Sequence, residues 1–147
     1  MVYPAEIGRV KKQTASIVLL DSADQCLLFL RDDKPAIPYP NTWDLLGGGI
    51  ETGESAEEAI RREMLEELEL TLKDPALFKI YELPDRIEHL FWQRTDLDIT
   101  RTKLHEGQKL AWFSEEQIRS LGPEELAFGF RDILVHFYTI RPFRIGA

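Results

Sequence analysis

Between Ser55 and Leu70 the chain spells one strongly amphipathic helix, and the acids on it restrict what the rest of the fold must provide. Ser55 followed by Glu58 is a capping-box pattern. From there to Leu70 no Gly or Pro occurs, and Ala, Glu, Arg, Met and Leu dominate, all good helix formers. Ala56, Ile60, Met64 and Leu68 recur every four residues and form an apolar stripe that faces a core. Glu63, Glu66 and Glu67, spaced i, i+3, i+4, project together beside that stripe. Three such carboxylates repel one another unless a cation sits among them. An all-oxygen donor set suits Mg²⁺, and Mg²⁺ held by a few carboxylates usually also holds a phosphate.

The charge is unevenly placed. Residues 51–70 contain eight Glu and two Arg, a local charge of −6, while the whole 147-residue chain carries −8. The remainder is nearly balanced, which marks a local anionic site rather than a generally acidic, solvating protein. Net negative charge and the lack of a basic stripe disfavour a nucleic-acid binding module.

Upstream spacing sharpens this. Gly48, Glu54, Arg62, Glu63, Glu66 and Glu67 fill the specified positions of G-x5-E-x7-R-E-U-x-E-E-x-G-U, where U is a bulky aliphatic supplied by Met64 and Leu70. Six specified residues at roughly one in fifteen each match by chance about once in ten million starting positions. This 23-residue stretch resembles the signature of the Nudix hydrolases (MutT-like proteins). The resemblance implies an α/β fold, a Nudix-type α/β/α sandwich with a mixed central sheet. It implies a Mg²⁺-dependent hydrolase, with Mn²⁺ as a possible substitute. The reaction would be cleavage of the pyrophosphate bond of a nucleoside diphosphate linked to another moiety, a nucleoside triphosphate or related nucleotide. The partner is then a small-molecule nucleotide.

The family's roles carry over position by position. Glu63, Glu66 and Glu67 are the metal carboxylates, and a carbonyl near Gly48 is a further ligand. Arg62 orients one of those acids and Glu54 by hydrogen bonds. Gly47, Gly48 and Gly49 are expected to let the backbone turn sharply and approach the metal. In His105-Glu106-Gly107-Gln108, a Glu-Gly-Gln before an aromatic strand, Glu106 resembles the loop acid that serves as an additional ligand or the general base. Catalytic work thus falls to Glu66, Glu106, Arg62 and Glu54. A non-catalytic Nudix-fold nucleotide-sensing domain is the alternative; such domains often have degraded boxes, and this one keeps every acid. A Nudix-fold isopentenyl-diphosphate isomerase needs a catalytic Cys, and the lone Cys26 lies in an apolar run, which weighs against it.

Two positions depart from the pattern. Glu69 stands where the family has Gly, so either it takes a left-handed conformation at some cost or the helix ends differently. Leu46 stands where many relatives carry Pro, which loosens the loop's preorganisation but removes no catalytic group.

The length fits one domain spanning 1–147. Thr14–Leu20 and Cys26–Arg31 read as a hairpin around Asp21–Gln25. The three prolines in Asp33–Asn41 read as loop. Trp43–Leu46 reads as a short strand entering the glycine turn. Ala76–Leu83, Glu88–Arg94 and Lys109–Phe113 are expected strands. Ser114 with Gln117 caps a short helix that Pro123 interrupts. Phe130, Ile133, Leu134 and Phe137 give a final helix over Phe130–Tyr138. Cys26 is expected to be a buried strand residue. Phe128 is the favoured base-stacking candidate, and Arg31, Lys34, Arg86 and Arg94 are candidate phosphate contacts, Arg31 foremost. His105 reads as plain loop. The opening Met1–Glu6 shows no leader pattern and no apolar run reaches membrane-spanning length, so a cytoplasmic location is expected.

Overall fold

β1 (Lys12–Leu20) is the spine of the molecule, and its run from Thr14 onward is buried. The computed structural model describes residues 11–144, so the reading of Met1–Glu6 lies outside the described residues. One edge of β1 pairs in parallel with β6 (Arg86–Arg94), from Lys12↔Arg86 to Leu20↔Arg94. The outer edge of β6 carries β5 (Ala76–Glu82), antiparallel. A sheet with a parallel centre and antiparallel flanks is mixed.

The expected hairpin forms but does not stay paired. Asp21 accepts the backbone N–H of Ala23 and Gln25 at 3.0 and 2.8 Å, a side-chain-stabilised turn. β2 (Cys26–Leu30) then meets β1 only at Leu20↔Cys26. β2 pairs instead with β7 (Lys109–Phe113) on one edge and β3 (Trp43–Asp44) on the other. β4 (Leu46–Gly49) takes the edge of β1 that β2 leaves, with Ile17↔Leu46 and Thr14↔Gly49. The segment 43–49 thus leaves one strand and joins the other, and a cleft opens where β1 and β2 part.

This corrects two expectations. Gly47, Gly48 and Gly49 are ladder residues of β4, not a turn. Leu46 does not loosen a loop: it is 2% exposed and paired with Ile17, so its side chain joins the core.

Helices cover both faces. α1 (Ala56–Leu68) lays Ala59, Ile60, Met64 and Leu68 on Ala15, Ile17 and Leu19 of β1. The capping box is present, with Glu58 N–H to Ser55 Oγ at 3.1 Å and Ser55 N–H to Glu58 Oε1 at 2.9 Å. α2 (Glu115–Ser120) and α3 (Phe130–Ile140) cover the other face, where Ile118, Phe130, Ile133, Leu134 and Phe137 pack on Val18, Leu20 and Leu90. Ser114 and Gln117 cap α2 as expected, at 3.1 and 2.8 Å. The result is an α/β/α sandwich. Cys26 is buried in β2. No helix among the described residues is long and apolar enough to cross a membrane.

Along the face under α3, β1 and β6 change character. Leu20, Val18 and Leu90 are apolar core, but Ser16, Thr14, Glu88 and Arg86 follow toward the other end, all buried. Buried polar groups in such a row need partners or a ligand. The core ends there and the cleft begins.

Candidate active site

The cleft has a volume of about 500 Å³ and runs from the carboxylates of α1 to this buried polar row. At its α1 end, Glu63, Glu66 and Glu67 each offer an oxygen within 4.8 Å of the others. The i, i+3, i+4 spacing brings them together, and the neighbouring apolar stripe presses their face toward β4. Gly48 makes room for them. A Cβ on Gly48 would stand 2.6 Å from Glu63 Cδ, so the absence of a side chain lets this carboxylate sit against the strand.

Arg62 ties the site together. Its Nε and Nη2 bind the two oxygens of Glu54 at 2.8 and 3.0 Å. Nη1 donates to Glu63 at 3.0 Å and to Glu66 at 3.4 Å, and Nη2 also reaches the Gly49 carbonyl at 3.0 Å. The guanidinium holds the Glu54 carboxyl below the usual carboxylate range. It therefore joins the glycine strand, the loop before α1 and the acidic face of α1.

Arg62 does not neutralise all three acids. Burial, opposed in part by Arg62, raises the Glu63 pKa. Burial, with the nearby charge of Glu106, pushes Glu67 up to about 7. Glu106 comes from the loop before β7 and so does approach the triad. Partly buried carboxylates crowded until their ionisation is disfavoured form a donor set suited to a hard divalent cation. The residues fit Mg²⁺ or Mn²⁺ on that ground.

At α1's end, Glu69 adopts φ 54°, ψ 33°. Its N–H bonds Leu65 O at 3.1 Å and that of Leu70 bonds Met64 O at 3.2 Å, the bond pattern of a glycine-type helix stop. The helix ends where the family glycine would end it, and Glu69 takes the left-handed conformation. His105, read from sequence as plain loop, places Nε2 at 2.8 Å from Glu69 Oε2.

The opposite end of the cleft is lined by Arg31, Asp44, Arg86, Glu88 and Phe128. Arg31 is no surface cation: its Nη1 lies 3.0 Å from Asp44 Oδ2 and its side chain is 13% exposed. Arg86 is buried and bonded to Glu88 at 2.7 Å and to the Phe128 carbonyl at 2.8 Å, so it is structural in its contacts. Arg94 pairs with Asp24 and Lys34 with Asp32, and neither lines the cleft. Phe128 has φ 56°, with its ring 5.0 Å from the Arg31 guanidinium and 4.6 Å from the ring of Tyr39.

Asp44 was not singled out from sequence. Burial pushes its pKa up to about 7 against the opposing effect of Arg31, and its Oδ1 is buried without a hydrogen-bond partner, as is Ser16 Oγ. The signal was a single acid inside Trp43-Asp44-Leu45-Leu46; its partner Arg31 is too distant in sequence to be paired with it by pattern.

The surroundings agree with other proteins. The chain is 39% identical over 82 residues to a putative 8-oxo-dGTP diphosphatase of Bacillus subtilis (strain 168), covering 54% of this chain and 51% of that protein. It is 40% identical over 65 residues to the nucleoside triphosphatase NudI of Salmonella arizonae, covering 43% and 46%. The chain thus spans about half the length of these curated relatives. Its fold superposes on a MutT protein from Methanosarcina mazei Go1 with a TM-score of 0.73 and 25% identity, over 92% of this chain and 98% of the other. A family model described as the NUDIX domain matches residues 10–137, and the chain belongs to that family.

Proposed function

We propose that this protein is a Mg²⁺-dependent hydrolase, served also by Mn²⁺, that cleaves the pyrophosphate bond of a nucleoside diphosphate linked to another moiety. The observation that carries this is the converging oxygen cluster of Glu63, Glu66 and Glu67, backed by Gly48 and braced by Arg62. The names of the relatives, a diphosphatase and a nucleoside triphosphatase, make nucleoside triphosphates the first substrates to assay. A cytoplasmic location, with its nucleotide pool, belongs to the same proposal.

In this reading Glu63, Glu66, Glu67 and the Gly48 carbonyl hold the cation. A bound divalent cation supplies the positive charge that offsets the phosphate oxygens and acidifies the attacking water. Glu106, on the loop facing Glu67, adds its negative charge to the cation site and accepts the proton of that water. Glu54 fixes Arg62, and Arg62 fixes the Glu63 and Glu66 carboxylates, so the donor set is ordered before substrate arrives. Phe128 supplies a face for the nucleobase and Arg31 a cationic wall beside it. Positioning and charge stabilisation do most of the work in phosphoryl transfer.

Glu66→Gln removes one charge from an exposed side chain that contributes little to the core. Turnover should fall by roughly 10²-fold or more with the melting temperature unchanged. Turnover close to the unaltered protein's would remove the assignment. Chelation should abolish activity and leave the protein folded; unfolding on chelation would make the cluster a structural site.

A further inference from the structure

Glu69 sits where glycine would cost least. Its φ of 54° lies in the left-handed region, which penalises any residue with a Cβ. Its side chain is 62% exposed, so burial offsets none of that penalty. The contact this side chain makes is with His105, Nε2 to Oε2 at 2.8 Å. The same loop is tied to α1 a second time, by the His105 N–H donating to the Glu67 carbonyl at 3.0 Å.

The loop is also fastened on the other side of Glu106. Gly107, with φ 87°, lies so close to β2 that a Cβ would stand 2.6 Å from the Phe29 ring and 2.7 Å from the Leu30 carbonyl. The Gln108 N–H donates to Leu30 O at 2.8 Å, and its side-chain amide donates to Arg31 O at 2.7 Å and Asn41 Oδ1 at 2.9 Å. Glu106 is therefore the residue between a fastening to the end of α1 and a fastening to β2. The β2 side is held by backbone and a close-packed glycine. The α1 side depends on one backbone bond and the Glu69–His105 pair.

We propose that Glu69 and His105 form a clasp that positions Glu106 against Glu67, so that both are positioning residues for the cation and water site. The clasp rests on the reading of Glu106 as a member of that site. An exposed ion pair adds little to global stability. Its effect therefore belongs to the placement of the loop, and a residue kept at a conformational cost fits that role better than a fold-stabilising one.

Fold and placement make opposite demands on Glu69→Gly, which relieves the backbone and opens the clasp. Mn²⁺ affinity, read from the electron paramagnetic resonance of free Mn²⁺, and melting temperature are measured on the purified protein and its variants. Glu69→Gly is expected to melt at or above the unaltered protein, yet to bind Mn²⁺ roughly tenfold more weakly. In hydrolysis, kcat should fall by about the same factor while KM for the nucleotide stays within about twofold. His105→Ala should match this loss, and Glu69→Gln, which keeps an acceptor for His105, should restore most of the affinity. In a Glu106→Gln background, Glu69→Gly should produce no further loss, because its effect passes through Glu106.

Unchanged Mn²⁺ affinity in Glu69→Gly overturns the clasp, as does an equal loss with and without Glu106. If the unaltered protein binds Mn²⁺ and hydrolyses no nucleotide, the hydrolase reading fails and the Mn²⁺ cycle still decides the clasp. If it binds no Mn²⁺, the metal reading and the clasp fall together.

Discussion

Gly48→Ala separates the fold from the site. Gly48 pairs with Ala15 inside the sheet and does not occupy the left-handed region, so alanine carries no backbone strain there. On backbone grounds the change would add about 0.4–1 kcal/mol of stability. The new Cβ, however, would stand 2.6 Å from Glu63 Cδ and 2.9 Å from Oε2. The obstructing group is the tip of a flexible side chain, so the carboxylate moves and the strand stays.

Displacing it breaks the 3.0 Å bond from Arg62 Nη1. The Glu63 side chain is 13% exposed, so this charge-assisted bond contributes about 1.5–3 kcal/mol. Set against the alanine gain, the net loss is about 1–2 kcal/mol, or about 3–6 °C in melting temperature for a chain of this size. The cation loses more. One carboxylate leaves the cluster, and Mn²⁺ affinity should drop at least roughly tenfold. Calorimetric titration with Mn²⁺, beside a thermal melt of the cation-free protein, reads both quantities. Unchanged affinity would refute the claim that Gly48 sets the position of Glu63. A melting temperature lower by more than about 10 °C would show that the strand, not the carboxylate, gave way.

Two further outcomes follow from the cleft. Glu67 titrates near 7 in the folded protein, against about 4.3 in an unfolded chain, so its stabilising contribution is full below about 4.3 and is lost as pH rises through about 7. Asp44 acts with the same sign over the same window. The melting temperature of the cation-free protein should therefore fall from pH 5 to pH 8. Saturating Mn²⁺ should remove the Glu67 share and Asp44→Asn the other; a melting temperature that rises across this window would contradict both assignments. Phe128→Ala leaves the carboxylate cluster intact and removes the ring that contacts Arg31 and Tyr39, so KM should rise roughly tenfold with kcat and Mn²⁺ affinity unchanged. A loss confined to kcat would place Phe128 outside the substrate's path.

What could be read from the sequence is what depends on local spacing. The capping boxes at Ser55 and Ser114 and the stripes of α1 and α3 are set by residues within a turn or two of each other, and all were legible. So was the convergence of Glu63, Glu66 and Glu67, because helical geometry alone puts them on one face. The parting of β1 and β2 was not, since it depends on β4 taking the edge of β1, a pairing between distant segments. Glycine carries two meanings that a sequence does not separate: a sharp turn, or a close approach within a strand. At 47 and 48 the second applies: a Cβ on Gly47 would run into the Ala15 carbonyl of β1, and the Glu63 carboxylate needs the space a side chain on Gly48 would fill. Arg31 and Asp44 are 13 residues apart and Glu88 is farther still, so the buried polar end of the cleft was invisible as a unit.

Residue 69 shows how a departure from a family pattern is to be weighed. The helix stop is made by two backbone N–H groups reaching the carbonyls of Met64 and Leu65, and those bonds do not require that residue 69 be glycine. They require its φ, which Glu69 adopts at a cost of roughly 1 kcal/mol. The backbone of the site therefore survives the substitution. What changes is that a carboxylate now stands at the helix end within reach of His105, 36 residues later in the chain. A pattern glycine describes what the backbone must do at a position. It does not describe what a side chain could add there once the backbone cost is met, and that addition is legible only when both partners are seen in space.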